Sequence, residues 1–167
     1  MDVVVPPYRT KGFHNPYRER GFAEKLAMRG ETIFHLLLEE KGITHEWWKI
    51  TKAFTKQRYD FKVYELTIDV KTRPLGKDEF LMKAIDTVEC DYYVAVNASR
   101  MVDNPVFVHG EKAYGYLTKA EVIKLPIVEL PLYPGRRCPY QDLHPIEDLL
   151  SIFSRGCDNR YIDYKEE

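Results

Sequence analysis

The chain has 167 residues, with 25 lysines and arginines against 26 aspartates and glutamates and a net charge of −1. That length suits one domain able to bury a core, and 44% hydrophobic with 31% charged residues excludes a disordered or fibrous chain. No apolar run approaches the ~18 residues of a membrane span, and no charged, apolar, small-residue leader opens the chain. The expectation is therefore a protein of the cytoplasm with no membrane partner. Cys90, Cys138 and Cys157 are widely spaced without a C-x-x-C, which argues against a zinc site and against a disulfide framework.

Residues 1–21 read as a basic N-terminal arm. Up to residue 30, Arg9, Lys11, Arg18, Arg20, Lys25 and Arg29 outnumber Asp2, Glu19 and Glu24 by three, with Tyr8, Phe13, His14 and Tyr17 interleaved. Basic residues among aromatics suit a groove that tracks phosphates and stacks on unpaired bases; an arm with a solvated face has the same composition. From about Phe22 to Lys41, Leu26, Ile33, Phe34, Leu37 and Leu38 recur at helical spacing, with Gly42 as the stop and Gly30 as an interruption or fresh start. Ile43 to Lys56 reads as a strand whose Trp47 and Trp48 cannot both face inward, so that one is either exposed among Lys49, Lys52 and Lys56, where it could stack on a base, or, the favoured reading, packed against the next helix.

Tyr59 to Thr72, YDFKVYELTIDVKT, alternates β-branched and aromatic residues with polar ones and reads as two strands with a tight reversal near Val63 to Glu65. Residues two apart share a face, so Asp69 lies beside Lys71 while Val70 points into the core. The reversal sets Asp60 beside Asp69. Two carboxylates and an ammonium converge, and hard oxygen ligands at that density suit Mg²⁺ or Mn²⁺. The plainer reading is a hairpin with a surface ion pair worth ~0–1 kcal/mol.

After Arg73-Pro74-Leu75-Gly76 breaks the strand, Lys77 to Val88 reads as a short helix begun near Asp78, and Asp91 to Ala98 as a strand buried on both faces. Val106 to Gly110 reads as a further strand. Gly115-Tyr116-Leu117 leads into Thr118-Lys119-Ala120-Glu121, a capping-box start for a helix through about Lys124. The last forty residues are rich in turns, with Arg136-Arg137 placed on a Pro-Gly turn. One late helix follows His144-Pro145, and Asp158 to Glu167 should fray. No internal repeat, glycine-rich phosphate loop or Ser-His-Asp arrangement is present, so no nucleotide cofactor is expected.

Asp60, followed by Asp69-Val70-Lys71, resembles the signature of the PD-(D/E)XK nuclease superfamily, with Tyr59 where the family often has proline. The order of elements over residues 22–124 is similar to the family's core, and residues 125–167 would extend it. The resemblance implies a restriction-endonuclease-like α/β fold, a central mixed sheet flanked by helices, and a Mg²⁺-dependent DNA nuclease in which Mn²⁺ can substitute. It implies that Asp60 and Asp69 bind the metal with help from the Val70 carbonyl. Glu31, following Gly30 on the preceding helix, would hold a metal-bound water, with Glu24 as the fallback; His35, one turn on, would face the same cleft or pack. Lys71 would position the nucleophile. Arg9, Lys11, Arg18, Arg20 and Arg73 are the implied DNA contacts, and added loops or the contact of a homodimer would set specificity. The same residues also admit a nucleic-acid-binding module without chemistry, or a partner-binding α/β protein.

Overall fold

The computed structural model of the chain describes residues 21–48 and 59–166, with side chains as far as residue 156. Helix α1, Phe22–Glu40, runs unbroken through Gly30 and buries Phe22, Leu26, Phe34 and Leu38 along one stripe. Its stop is built as the spacing predicts. Gly42 takes φ +67°, the Ile43 N–H donates to the Leu38 carbonyl at 2.9 Å, and the Gly42 N–H donates to the Glu39 carbonyl at 3.0 Å. These two bonds satisfy the helix's last carbonyls and return the chain so that Ile43 packs in the same core as Leu38.

Strand β1 is only Glu46–Trp47, shorter than the strand expected from Ile43, and residues 49–56 of that stretch lie outside the described residues. Strands β2, Phe61–Val63, and β3, Leu66–Pro74, form the expected hairpin, with Val63 opposite Leu66 and Phe61 opposite Ile68. Tyr64 in the two-residue turn takes φ +55°, a region that bulky residues rarely adopt.

Strand β4, Glu79–Lys83, stands where a helix over Lys77 to Val88 was expected. Phe80 and Met82 are buried while Lys83 is exposed, so the segment's apolar residues follow a period of two and not one of 3.6. Strand β5, Tyr92–Ala98, lies parallel to β3, with Ile68 beside Tyr92 and Val70 beside Val94. The stretch Val106 to Gly110, read as a strand, belongs instead to a loop between β5 and β6, Lys112–Thr118, which pairs antiparallel with β5. Helix α2, Lys119–Lys124, starts on the predicted capping box: Thr118 Oγ1 accepts from the Glu121 N–H, and the Glu121 carboxylate accepts from the Thr118 N–H.

The proline-rich segment expected to be turns holds two strands, β7, Ile127–Glu129, and β8, Pro134–Pro139. Arg136 and Arg137 therefore lie in a strand. β8 pairs with β4 on one side and β7 on the other, and a Pro at each end of β8 leaves the N–H groups between them free for pairing. Helix α3, Ile146–Glu166, continues as backbone through the segment expected to fray.

The main sheet has the order β1-β2-β3-β5-β6 and the second β4-β8-β7. One core gathers Phe34 and Leu38 of α1, Phe61, Ile68, Val70 and Val94 of the main sheet, and Leu149 and Phe153 of α3. The other gathers Tyr93, Ala95 and Leu117 against Phe80 and Met82 of β4, Val122 of α2 and Cys138 of β8. The protein is thus α/β, with a mixed sheet flanked by helices. Among the described residues no helix is long and apolar enough to cross a membrane.

Candidate functional site

The site begins where β2 stops. β2 pairs with β3 as far as Phe61 opposite Ile68. Past that point the Asp60 N–H donates to the Ile68 carbonyl at 2.9 Å, and Asp60 Oδ2 accepts the Val70 N–H at 2.8 Å. A carboxylate thus continues the edge contact in place of backbone. In an extended strand the N–H and C=O of one residue point to the same edge, so the Val70 carbonyl also faces this fork.

Val70 is buried in the α1-side core, and alternation sends Asp69 and Lys71 to the opposite face. Lys71 Nζ lies 2.7 Å from Asp69 Oδ2, the two side chains being 26% and 16% exposed. That pair is well shielded, and the Asp69 carboxylate acts on Asp60 as well as on Lys71.

Glu31 arrives from α1 because the helix can press onto β3. A Cβ on Gly30 would stand 1.9 Å from Thr72 Oγ1 and 2.6 Å from its Cγ2, so only glycine permits the approach. The next residue, Glu31, is 2% exposed, and its Oε1 accepts the Trp47 indole N–H at 3.0 Å. Glu24, the fallback, is exposed on the first turn of α1.

The electrostatics follow from crowding. Burial, then the charges of Asp69 and Glu31, push the Asp60 carboxyl up to about 8, against the opposing Val70 N–H. Burial alone would lower Lys71, but the attraction of Asp69, with Asp60 and Asp86 behind it, outweighs burial and holds the ammonium above its ordinary range. Burial and the same two aspartates push the Cys90 thiol up to about 12, which makes it an inert neighbour. A buried Asp60 carboxyl crowded by the charges of both Asp69 and Glu31 fits a hard divalent cation such as Mg²⁺ or Mn²⁺.

One consequence is measurable without any substrate. Asp60 binds its proton more tightly folded than unfolded, so from pH 3.8 to about 8 the native state carries the extra proton. Stability from this group is full below that window and is lost as pH rises through it. The metal-free protein should therefore melt lower at pH 9 than at pH 5.5, with Mg²⁺ raising the melting temperature more at pH 9. Asp60→Asn should flatten both trends; an unchanged pH profile in that variant would show that the carboxylates do not repel.

Asp60, Asp69, Val70 and Lys71 are thus brought to one fork, and Glu31 comes from the α1 side close enough to act on Asp60. Other expected residues are not. Arg73 is engaged by Glu79, which also binds Arg137, so its guanidinium is committed to fastening β3 to the second sheet. Arg9, Lys11, Arg18 and Arg20 lie outside the described residues. His35 turns to His45 and Trp47. Neither tryptophan is exposed: Trp47 stacks between His35 and Phe61, and Trp48 packs on Tyr59, because a two-residue strand does not force alternate faces.

Sequence reasoning missed Arg29 and Glu111. Arg29, 5% exposed, donates through Nε and Nη2 to Glu111 and through its remaining N–H groups to the carbonyls of Val102, Asn104 and Val106. Glu111 also accepts the N–H groups of Ser99 and Val108. The clamp fastens the 99–111 loop to the helical turn that presents Gly30-Glu31. The only signal in the sequence is that Arg29 adjoins that pair.

Fold and site together define an α/β protein whose mixed sheet carries a carboxylate–lysine cluster at the fork of a hairpin. Comparison with protein-family models, with curated proteins and with solved structures found no match to this chain.

Proposed function

We propose that the protein is a metal-dependent DNA nuclease that hydrolyses phosphodiester bonds, on a restriction-endonuclease-like variant of the α/β fold, acting on structured DNA in replication, recombination or repair. The observation that carries this reading is the convergence of Asp60, Asp69 and Lys71 at the β2–β3 fork, with Glu31 acting on Asp60 from α1. The strand order adds support: an antiparallel hairpin is followed by a strand parallel to its second member and a further antiparallel strand. The crossover between β3 and β5 departs from the expected pattern, since it carries β4 and no helix.

Asp60 and Asp69 would hold Mg²⁺ or Mn²⁺ through their carboxylate oxygens, with the Val70 carbonyl on the same edge and Glu31 receiving a coordinated water. The ion supplies an acidified water and offsets charge on the phosphoryl group. Lys71 stays protonated beside Asp69, so it serves as a cation that orients the attacking water and stabilises developing negative charge, not as a base. Asp60 would have to be deprotonated to hold the ion, so metal binding should strengthen as pH rises towards about 8.

The test is a gel assay on labelled duplex ends, flaps and four-way junctions. Cleavage is expected with Mg²⁺ or Mn²⁺ and should stop when the ion is chelated. Ca²⁺ should support binding without cleavage, because its longer, looser coordination does not hold the attacking water as firmly. Metal-dependent DNA binding with no cut strand in any substrate would favour a binding module, and neither binding nor cleavage would reject the proposal.

A further inference from the structure

A second cluster lies at the other end of α1, and it has a different chemistry. His35 and Glu39 are one turn apart and share a helix face. The turn at Gly42 then returns the chain so that His45 stands over both. His35 Nδ1 is 2.8 Å from His45 Nε2, His45 Nε2 is 3.9 Å from Glu39 Oε1, and all three donor atoms lie within 4.8 Å of one another.

We infer that His35, Glu39 and His45 form a binding site for a divalent transition-metal ion of the zinc class. The inference stands apart from the nuclease reading and needs none of its residues. The wide spacing of the cysteines argues against a thiolate site, but these donors are two imidazoles and a carboxylate. Two nitrogens and one oxygen suit Zn²⁺, and Mg²⁺, which prefers an all-oxygen shell, is disfavoured.

Three features support the site. The first is the tautomer. His45 Nδ1 lies 2.7 Å from the Ile43 carbonyl, which can only accept, so the ring's proton is on Nδ1 and the Nε2 lone pair faces the cluster. Metal-binding histidines are commonly oriented by this kind of outer contact. The second is the meeting of the two rings: His35 Nδ1 and His45 Nε2 already converge on one point at 2.8 Å. Without a metal, one proton on His35 Nδ1 bridges to His45 Nε2. A bound ion takes that place, and the proton moves to Nε2 of the same His35 ring. Tetrahedral Zn–N bonds of about 2.0–2.1 Å set their nitrogens roughly 3.3 Å apart, so the rings need to part only slightly.

The third feature is access. The His45 side chain is 4% exposed and that of Glu39 is 61% exposed, so the carboxylate can swing in from solvent and a fourth position stays open there. Three protein ligands and an open place make the pattern of a site that binds a water or a further ligand, not that of a closed structural centre. The ion would also fix a relay of rings: His35 stacks on Trp47 at 4.8 Å, and the Trp47 N–H holds Glu31.

The test uses the full chain carrying Asp69→Asn, which weakens the carboxylate–lysine site as a competing binder, titrated with Co²⁺ and then with Zn²⁺. About one equivalent of Co²⁺ should produce visible absorption of a low-coordinate centre, far stronger than that of the hydrated ion, and Zn²⁺ should abolish it. Adding His45→Gln should remove the band and weaken Zn²⁺ binding about 100-fold, and adding Glu39→Gln, on the surface and harmless to folding, about 10-fold. Circular dichroism checks that each variant is folded. No band in the folded parent overturns the inference. So does a band that persists unchanged in the Glu39→Gln and His45→Gln variants, since the ion would then sit elsewhere. None of these readings depends on DNA cleavage.

Discussion

Asp69→Asn is expected to lower Mg²⁺-dependent DNA cleavage by about 1,000-fold or more while leaving the protein folded. The substitution keeps the size of the side chain and removes its charge. It therefore withdraws a metal ligand from the fork and the ion partner that lies 2.7 Å from Lys71. Stability should move little, because two effects oppose each other. Losing the ion pair costs about 1 kcal/mol or less for a pair that is partly reached by water, and removing a charge that repels Asp60 returns a comparable amount. The signature of the second effect is that Asp60 titrates closer to its ordinary value, so the fall in melting temperature between pH 5.5 and pH 9 becomes smaller. Single-turnover cleavage and a pH series of melting curves on the same two proteins separate the outcomes. A variant that melts many degrees lower would mark the aspartate as a structural ion-pair partner.

Much of this site was legible because it is local. Asp60 and Asp69 are nine residues apart, and a two-residue turn flanked by alternating apolar residues fixes which side chains meet, with no information needed from the rest of the chain. The helix stop at Gly42 and the capping box at Thr118 are local in the same sense. What was not legible depends on partners distant in sequence. β4 became a strand because β8, more than fifty residues later, offers it an edge, with Phe80 opposite Cys138. Prolines that read as loop formers at 134 and 139 turned out to frame the central strand of that sheet.

Glu31 shows both situations in one residue. Its helix and its neighbour Gly30 are visible in the sequence. Its approach to the fork depends on Gly30 meeting Thr72 and on the indole of Trp47, contacts that no periodicity encodes. His35 is similar. The i, i+4 spacing to Glu39 is on the page of the sequence, but His45 joins only because the turn at Gly42 brings the chain back over the helix.

Arg29→Ala should be the most destabilising single change outside the apolar core, at about 3–5 kcal/mol. The guanidinium donates to Glu111 and to three loop carbonyls, and it lies over the Phe107 ring at 4.6 Å. Alanine leaves the buried Glu111 carboxylate without its ion partner and the three loop carbonyls without their donor. Glu111 suffers most. Burial pushes its carboxyl up, yet Arg29 and the N–H groups of Ser99 and Val108 together hold it below its ordinary range. Without Arg29 the balance tips towards burial, and Glu111 takes up a proton more readily. The loss should therefore be largest at neutral pH and smaller near pH 4, where protonation relieves the stranded charge. For a chain of this size the cost corresponds to a fall in melting temperature of roughly 10–15 °C. Pairing Arg29→Met with Glu111→Leu should recover part of it, because two apolar groups strand no charge. The effect should also reach the fork. Arg29 fixes the turn that presses Gly30 onto Thr72, so a loosened clamp lets Glu31 withdraw from Asp60 and lowers the Asp60 titration point in whatever fraction stays folded. Denaturant melts of the single and double variants at pH 4 and pH 7 test the clamp. A cost under about 1 kcal/mol, equal at both pH values, would mean that water replaces the guanidinium and that α1 is held in place by its apolar stripe alone.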